Sequence, residues 1–255
     1  MVDMATKSAS TTLLRQVDQF QANGMGGVIR ANKPAVGGQS ADGRPSAGLF
    51  YWSHSRFTDD FEFGLHHHEG FEIVTFVLDG ENSHYDTAGT TWTPLGSGDV
   101  QIIRSGSGIS HNERVAKGTR AFQIWFDPGY AAALQRTPSY QDHPASTFTS
   151  EPRGAFAVTD YIGGRGPIRT LVEGLSIRRM TAEVDATETV ALGDDPYSVL
   201  YLIDGSATIN GNRMAANDAL VTQSDAEAEV TLSPGADLFV VCLALHPSYT
   251  PVRGR

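Results

Sequence analysis

Short apolar runs recur along this chain, and glycine, proline, aspartate or asparagine breaks almost every one of them. The plainest is FEIVTFVL at 71–78, where β-branched and aromatic residues dominate, as they do in strands. Similar runs stand at 48–54 (GLFYWSH), 100–103 (VQII) and 121–126 (AFQIWF), with turn signals at Gly80, Ala88-Gly89, Pro94–Gly98 and Lys117-Gly118. The pattern returns after residue 154 at 156–158, 175–178, 188–192, 199–203, 219–222, 228–232 and 238–245. A helical period is nearly absent. Residues 130–135 (YAAALQ) fit one helical turn, and 11–22 fit a short helix or an edge strand equally well. Residues 31–48 read as a long loop and residues 1–10 as a loose start. Many short strands joined by turns predict an all-β fold, as a barrel or double-sheet jelly roll.

The pattern also divides the chain. The segment from Asp127 to Gly154 is rich in Pro, Ser, Thr and Gln and reads as a break between two β-rich halves. The run at 199–205 (VLYLIDG) echoes FVLDG at 76–80, with an apolar strand, Asp-Gly and then a polar strand. This predicts two tandem barrels: residues 1–135, a connecting segment 136–154, and residues 155–255.

Composition narrows the function. The 255 residues carry a formal net charge of −10, which argues against binding nucleic-acid backbones, where clustered Lys and Arg are required. No apolar run approaches the ~20 residues of a membrane helix, and no secretory pattern opens the sequence. The single cysteine, Cys242, lies in an apolar run and reads as a small buried residue of a cytoplasmic, monomeric protein.

The candidate chemistry lies between residues 66 and 113. The first stretch is HHHEGFE (66–72) and the second is SGSGISHNE (105–113). Residues two apart on a strand share a face, so His66/His68 and His111/Glu113 each form a pair able to aim at one point. Three imidazoles and a carboxylate suit a divalent first-row metal. Glu72 has the same parity as His66 and His68 and is a rival carboxylate, unless a bulge at Gly70 breaks the alternation. His67 should point away. His84 reads equally as an exposed strand histidine or as a group holding a ligand from across the hairpin. After residue 150 the only histidine is His246, so no second site of this kind is expected.

These two stretches resemble the paired motifs of the pirin family, a branch of the cupins with two barrels. The family's first motif is close to HPHRGFE and its second to AGxGIxHSE, and the resemblance extends over residues 64–126. It implies two tandem cupin jelly-roll barrels, with the metal in the first and a packing role for the second. Carried over position by position, it makes His66, His68, His111 and Glu113 the metal ligands and favours Glu113 over Glu72. It implies Fe(II) as the ion, although Mn, Co, Ni, Cu and Zn accept the same donors. His67 stands where the family has Pro, Glu69 where it has a basic residue, and Asn112 where it has Ser. None of these removes a ligand, but the first two change the charge at the mouth of the site. The activity implied is that of a quercetin 2,3-dioxygenase-like oxidoreductase, which uses dioxygen to open a flavonol ring and in which Glu113 takes the substrate's hydroxyl proton. A second reading is a metal- and redox-sensing regulator that binds a protein partner. A third, weaker one is another small-molecule reaction, such as isomerisation of a sugar acid.

Overall fold

The computed structural model describes residues 10–254. The expectation of a loose start therefore falls almost entirely outside the described residues, and Ser10 opens a strand. The chain forms two compact units, each an antiparallel double-sheet β-structure.

The N-terminal barrel comprises residues 17–149 and 170–173 and the chain from 247 onward. Its larger sheet runs, in spatial order, Ser139–His143, Val100–Arg104, Glu72–Asp79, Arg120–Phe126, Leu49–Phe57, Ile29–Val36 and Phe20–Gly24, with Gln39–Ser40 beside Ile29–Val36. Its smaller sheet runs Thr93–Gly96, Glu81–Asp86, Ile109–Val115 and Phe61–Glu62, and His66–His68 also pairs with Ile109–Val115. From Leu49–Phe57 to Arg120–Phe126 the chain crosses repeatedly between the two sheets, which is the jelly-roll route of a cupin. Glu72–Asp79, at the centre of the larger sheet, is buried at every position but Asp79. That accounts for its unbroken apolar run, since a strand covered on both faces has no polar side to alternate with. Trp52, Phe122, Ile124 and Phe126 are wholly buried beside it.

The C-terminal barrel comprises residues 10–16, 150–169 and 174–246. Its larger sheet runs Ser10–Leu14, Ala219–Gln223, Pro196–Asp204, Asp237–Ala244, Ser176–Thr181, Phe156–Ile162 and Ser150–Arg153. The smaller runs Ala186–Ala191, Glu227–Leu232, Ser206–Ile209 and Asn212–Ala215. Its core is largely apolar, built on residues such as Leu200, Ile209, Val230 and Leu238, and Cys242 is buried among them.

Three stretches differ from the sequence expectation. The predicted loop 31–48 contains most of the strand Ile29–Val36. This strand is held on both sides, by Phe20–Gly24 and by Leu49–Phe57, so partners supply what its composition lacks. Pro34 sits where the register slips between Asn32 and Ala35, so its missing N–H interrupts no regular ladder there. The ambiguous stretch 11–22 contributes to two strands that go to different units, Ser10–Leu14 to the C-terminal barrel and Phe20–Gly24 to the N-terminal one. The segment 136–154, read as a connection, also carries strands for both: Ser139–His143 extends the larger sheet of the N-terminal barrel, and Ser150–Arg153 opens the C-terminal one. Pairing partners decide these assignments, and local composition does not reveal them.

Candidate metal centre

The strand His66–His68 lies against Ile109–Val115 with His66 opposite His111 and His68 opposite Ile109. The side chains of His66, His68 and His111 converge, and one ligating atom from each lies within 4.8 Å of the others. Their ring centres are 4.3 Å apart for His66–His111 and 4.9 Å for each of the other pairs. His66 Nδ1 is 2.8 Å from the carbonyl oxygen of Gly64. Nδ1 is therefore the N–H donor, and Nε2 keeps its lone pair. His68 packs edge-on against Trp125 with ring centres 4.6 Å apart.

His111 is the most enclosed of the three, at 1% exposure, and neither of its ring nitrogens has a hydrogen-bond partner. A buried polar group left unpaired costs about 1–3 kcal/mol, so native structures normally satisfy it. A cation among the three imidazoles would do so, and the donor set fits a divalent first-row ion. Burial, then the neighbouring imidazoles, lowers the His111 pKa to about 2 and that of His68 to about 4. Both rings are thus neutral at physiological pH, the form in which imidazole binds metal.

Glu113 lies two residues along the strand from His111 and is buried at 4% exposure, but it stands outside the trio's cluster. Gln123 Nε2 donates to both of its carboxylate oxygens at 3.3 and 3.2 Å. Trp125 Nε1 in turn donates to Gln123 Oε1 at 3.2 Å, which fixes the orientation of that amide. Burial is the largest influence on the Glu113 carboxyl and raises its pKa. Glu113 and Gln123 also line a cavity of about 190 Å³, whose wall includes Lys33, Tyr51, Phe57 and Phe63.

Glu72 is not brought to the trio. The chain leaves the smaller sheet after His68 and enters the larger one at Glu72, passing Gly70 at a φ of +76°. A Cβ at Gly70 would lie 2.2 Å from the Tyr130 ring, so the position needs glycine on both counts. The parity read across residues 66–72 is thereby broken. Glu72 instead accepts hydrogen bonds from Thr170 Oγ1 at 2.6 Å and the Leu171 N–H at 3.0 Å. His67 is exposed and turned away, with Nδ1 3.4 Å from Ser110 Oγ. His84 is buried at 1% and faces the interior. Sequence reasoning missed Gln123, Trp125 and Asp86. A glutamine inside the apolar run AFQIWF was the one available signal, because a polar residue in a buried strand needs a partner.

Comparison with known proteins follows this geometry. Residues 46–126 match the family model described as Pirin. A pirin-like protein of Caulobacter vibrioides is 31% identical over 76% of this chain and 82% of its own length. A protein of Escherichia coli named quercetin 2,3-dioxygenase is 25% identical over 72% of this chain and 77% of its own. Among solved structures, the E. coli pirin YhhW in complex with nickel(II) superposes with a TM-score of 0.76 at 18% identity, covering 92% of this chain and 99% of that one. A quercetin 2,3-dioxygenase from Acinetobacter baumannii superposes with a TM-score of 0.78, also at 18% identity, over 92% of this chain and 79% of that one. Similarity across four-fifths of a relative at this identity reaches well beyond the two motifs, and this chain belongs to the pirin family.

Proposed function

We propose that the chain holds one divalent metal ion, Fe(II) in the first instance, through His66, His68, His111 and Glu113, and acts as a dioxygenase on a flavonol-like hydroxyketone. The observation that carries this reading is the trio of converging imidazoles, one of them fully buried with both nitrogens unpartnered. The nickel(II) complex of the E. coli pirin and the quercetin 2,3-dioxygenase names of relatives support it. When bound, such an ion supplies Lewis acidity and open positions for substrate and dioxygen.

The protein's own residues supply the rest. Burial raises the Glu113 pKa and so makes the carboxylate a stronger base, the role proposed for it towards the substrate's hydroxyl proton. Gln123 holds the carboxylate in place, and Trp125 packs against His68 while tethering Gln123. The largely apolar cavity beside Glu113 gives an aromatic substrate a place to lie.

The test is quercetin consumption in air, followed by its visible absorbance, with metal-free protein reloaded separately with iron, manganese, cobalt, nickel or copper. Turnover should require both metal and dioxygen, fall to background in His66→Ala, and be lost in Glu113→Gln that still carries metal. A filled site without turnover would reject the flavonol activity and turn attention to the regulator reading and a protein partner.

A further inference from the structure

The interior face of the smaller sheet in the N-terminal barrel carries a carboxylate–imidazole pair that the proposed chemistry leaves unused. Glu81–Asp86 pairs with Ile109–Val115 so that His84 lies opposite Glu113 and Asp86 opposite His111. Residues directly opposite in an antiparallel pair have Cβ atoms about 4.5–5.5 Å apart, so these four side chains form one compact square. His84 and Asp86 are each 1% exposed.

Asp86 is fixed. One of its oxygens, Oδ1, accepts from the N–H groups of Ala88 and Gly89 at 2.7 and 2.6 Å. The other, Oδ2, lies 3.0 Å from His84 Nε2. A carboxylate oxygen accepts, so the hydrogen in this contact is His84 Nε2–H, and Nδ1 is the nitrogen left to face the rest of the site. Tyr140 stacks on His84 with ring centres 5.0 Å apart and an interplanar angle of 26°, which holds the ring in its plane. His84 Nδ1 is buried and has no partner. The His111 ring lies 5.4 Å away, centre to centre, and its two nitrogens are also unpartnered. A metal-binding imidazole uses one nitrogen for the ion and has a second N–H that needs an acceptor.

We propose that Asp86 and His84 are positioning residues for the metal centre: Asp86 holds His84 in the Nε2–H tautomer, and His84 Nδ1, which makes no hydrogen bond to His111 in this structure, accepts the His111 N–H once an ion takes the other His111 nitrogen. This rests on the metal-binding reading above. It assigns to the strand Glu81–Asp86 the task of orienting His111, whose two ring nitrogens are buried and unpartnered.

The test uses the full chain, freed of metal and titrated with Zn(II) or Co(II) alone. Nitrogen-15 NMR of the zinc-loaded protein should show His84 protonated at Nε2. Asp86→Asn keeps an oxygen for the Ala88 and Gly89 N–H groups but places an NH₂ against Nε2, so His84 should switch to Nδ1–H. In the same variant, cobalt affinity should fall about 10–100-fold and the visible bands of bound Co(II) should move. A wild-type His84 protonated at Nδ1 would overturn the proposal without any variant. An unchanged cobalt spectrum and affinity in a folded Asp86→Asn protein would do the same. Wild-type protein that takes up neither ion would instead overturn the metal reading, and this inference with it.

Discussion

The two barrels share a glycine corner that carries the chain from the larger sheet into the smaller one, and differ in what they place behind it. In the N-terminal barrel, Glu72–Asp79 turns at Gly80 into Glu81–Asp86; in the C-terminal barrel, Pro196–Asp204 turns at Gly205 into Ser206–Ile209. The two glycines have φ of +86° and +82°. A Cβ on either would come 2.7 Å from a backbone Cα, that of Thr119 in one barrel and of Ala236 in the other. Past the turn the likeness in position continues while the chemistry parts. Asn82 and His84 face Val115 and Glu113, whereas Ala207 and Ile209 face Leu232 and Val230. The pair His84–Glu113 thus occupies the place that Ile209–Val230 fills elsewhere. The fold needs this interior occupied, and it does not dictate by what. The candidate chemistry sits on a few inward positions of one barrel.

The largest effect should come from exchanging those positions. Val230 is 0% exposed, and its substitution by glutamate would bury a carboxylate opposite Ile209 among apolar neighbours. An uncompensated buried charge costs about 3–5 kcal/mol, so Val230→Glu should lower the urea midpoint sharply or prevent folding. The reverse change, Glu113→Val, should stabilise the metal-free protein by about 1 kcal/mol, because it removes a buried carboxylate held only by the neutral amides of Gln123 and Asn82. It should also abolish metal-dependent turnover. If Val230→Glu unfolds at the wild-type midpoint, the apolar interior is not what distinguishes the second barrel.

The same contrast explains how much could be read in the sequence. Strands buried on both faces, such as Glu72–Asp79 and Asp237–Ala244, announce themselves as apolar runs. The X-x-X pairs were visible because strand period alone puts His66 with His68 and His111 with Glu113 on one face. Ile29–Val36 was not visible, since an Ala-Asn-Lys-Pro strand is made by its neighbours. Nor was the switch of sheets at Gly70, which sends Glu72 to Thr170 and Leu171, far away in sequence. Gln123 and Asp86 escaped for a related reason. Each holds another residue of the site, and such contacts exist only once strands are in register.

A second effect, of intermediate size, separates the barrels by pH. Burial and neighbouring imidazoles hold His68 at about 4 and His111 at about 2 in the folded protein, against about 6.5 in the unfolded chain. The unfolded chain therefore takes up protons first, and this contribution to stability is present above pH ~6.5 and lost as pH falls towards the folded values. For His68 alone the gap amounts to about 3 kcal/mol. Glu113 acts in the opposite sense. Its carboxyl is raised, so its contribution is present below the ordinary carboxylate pKa and is lost as pH rises above it. In metal-free protein, hydrogen exchange at Val74 and Ile124 should speed up between pH 6.5 and 4.5 relative to Val199 and Val240. The double change His68→Gln with His111→Gln should flatten that limb, and equal acid sensitivity in both barrels would detach it from the imidazole trio.

The smallest effect tests the likeness itself. Gly80→Ala and Gly205→Ala both force an L side chain into a left-handed backbone and against a neighbouring Cα, and each should cost about 2 kcal/mol by urea unfolding. The two costs should agree within about 1 kcal/mol if the glycine corners are equivalent parts of the architecture. Their consequences should diverge, because Gly80 leads into the strand that carries His84 and Asp86 towards His111 and Glu113. Gly80→Ala should therefore weaken Co(II) binding several-fold while Gly205→Ala leaves it at the wild-type value. Equal losses of cobalt affinity would mean that the metal centre depends on both glycine corners and that the second barrel does more than fill its own interior.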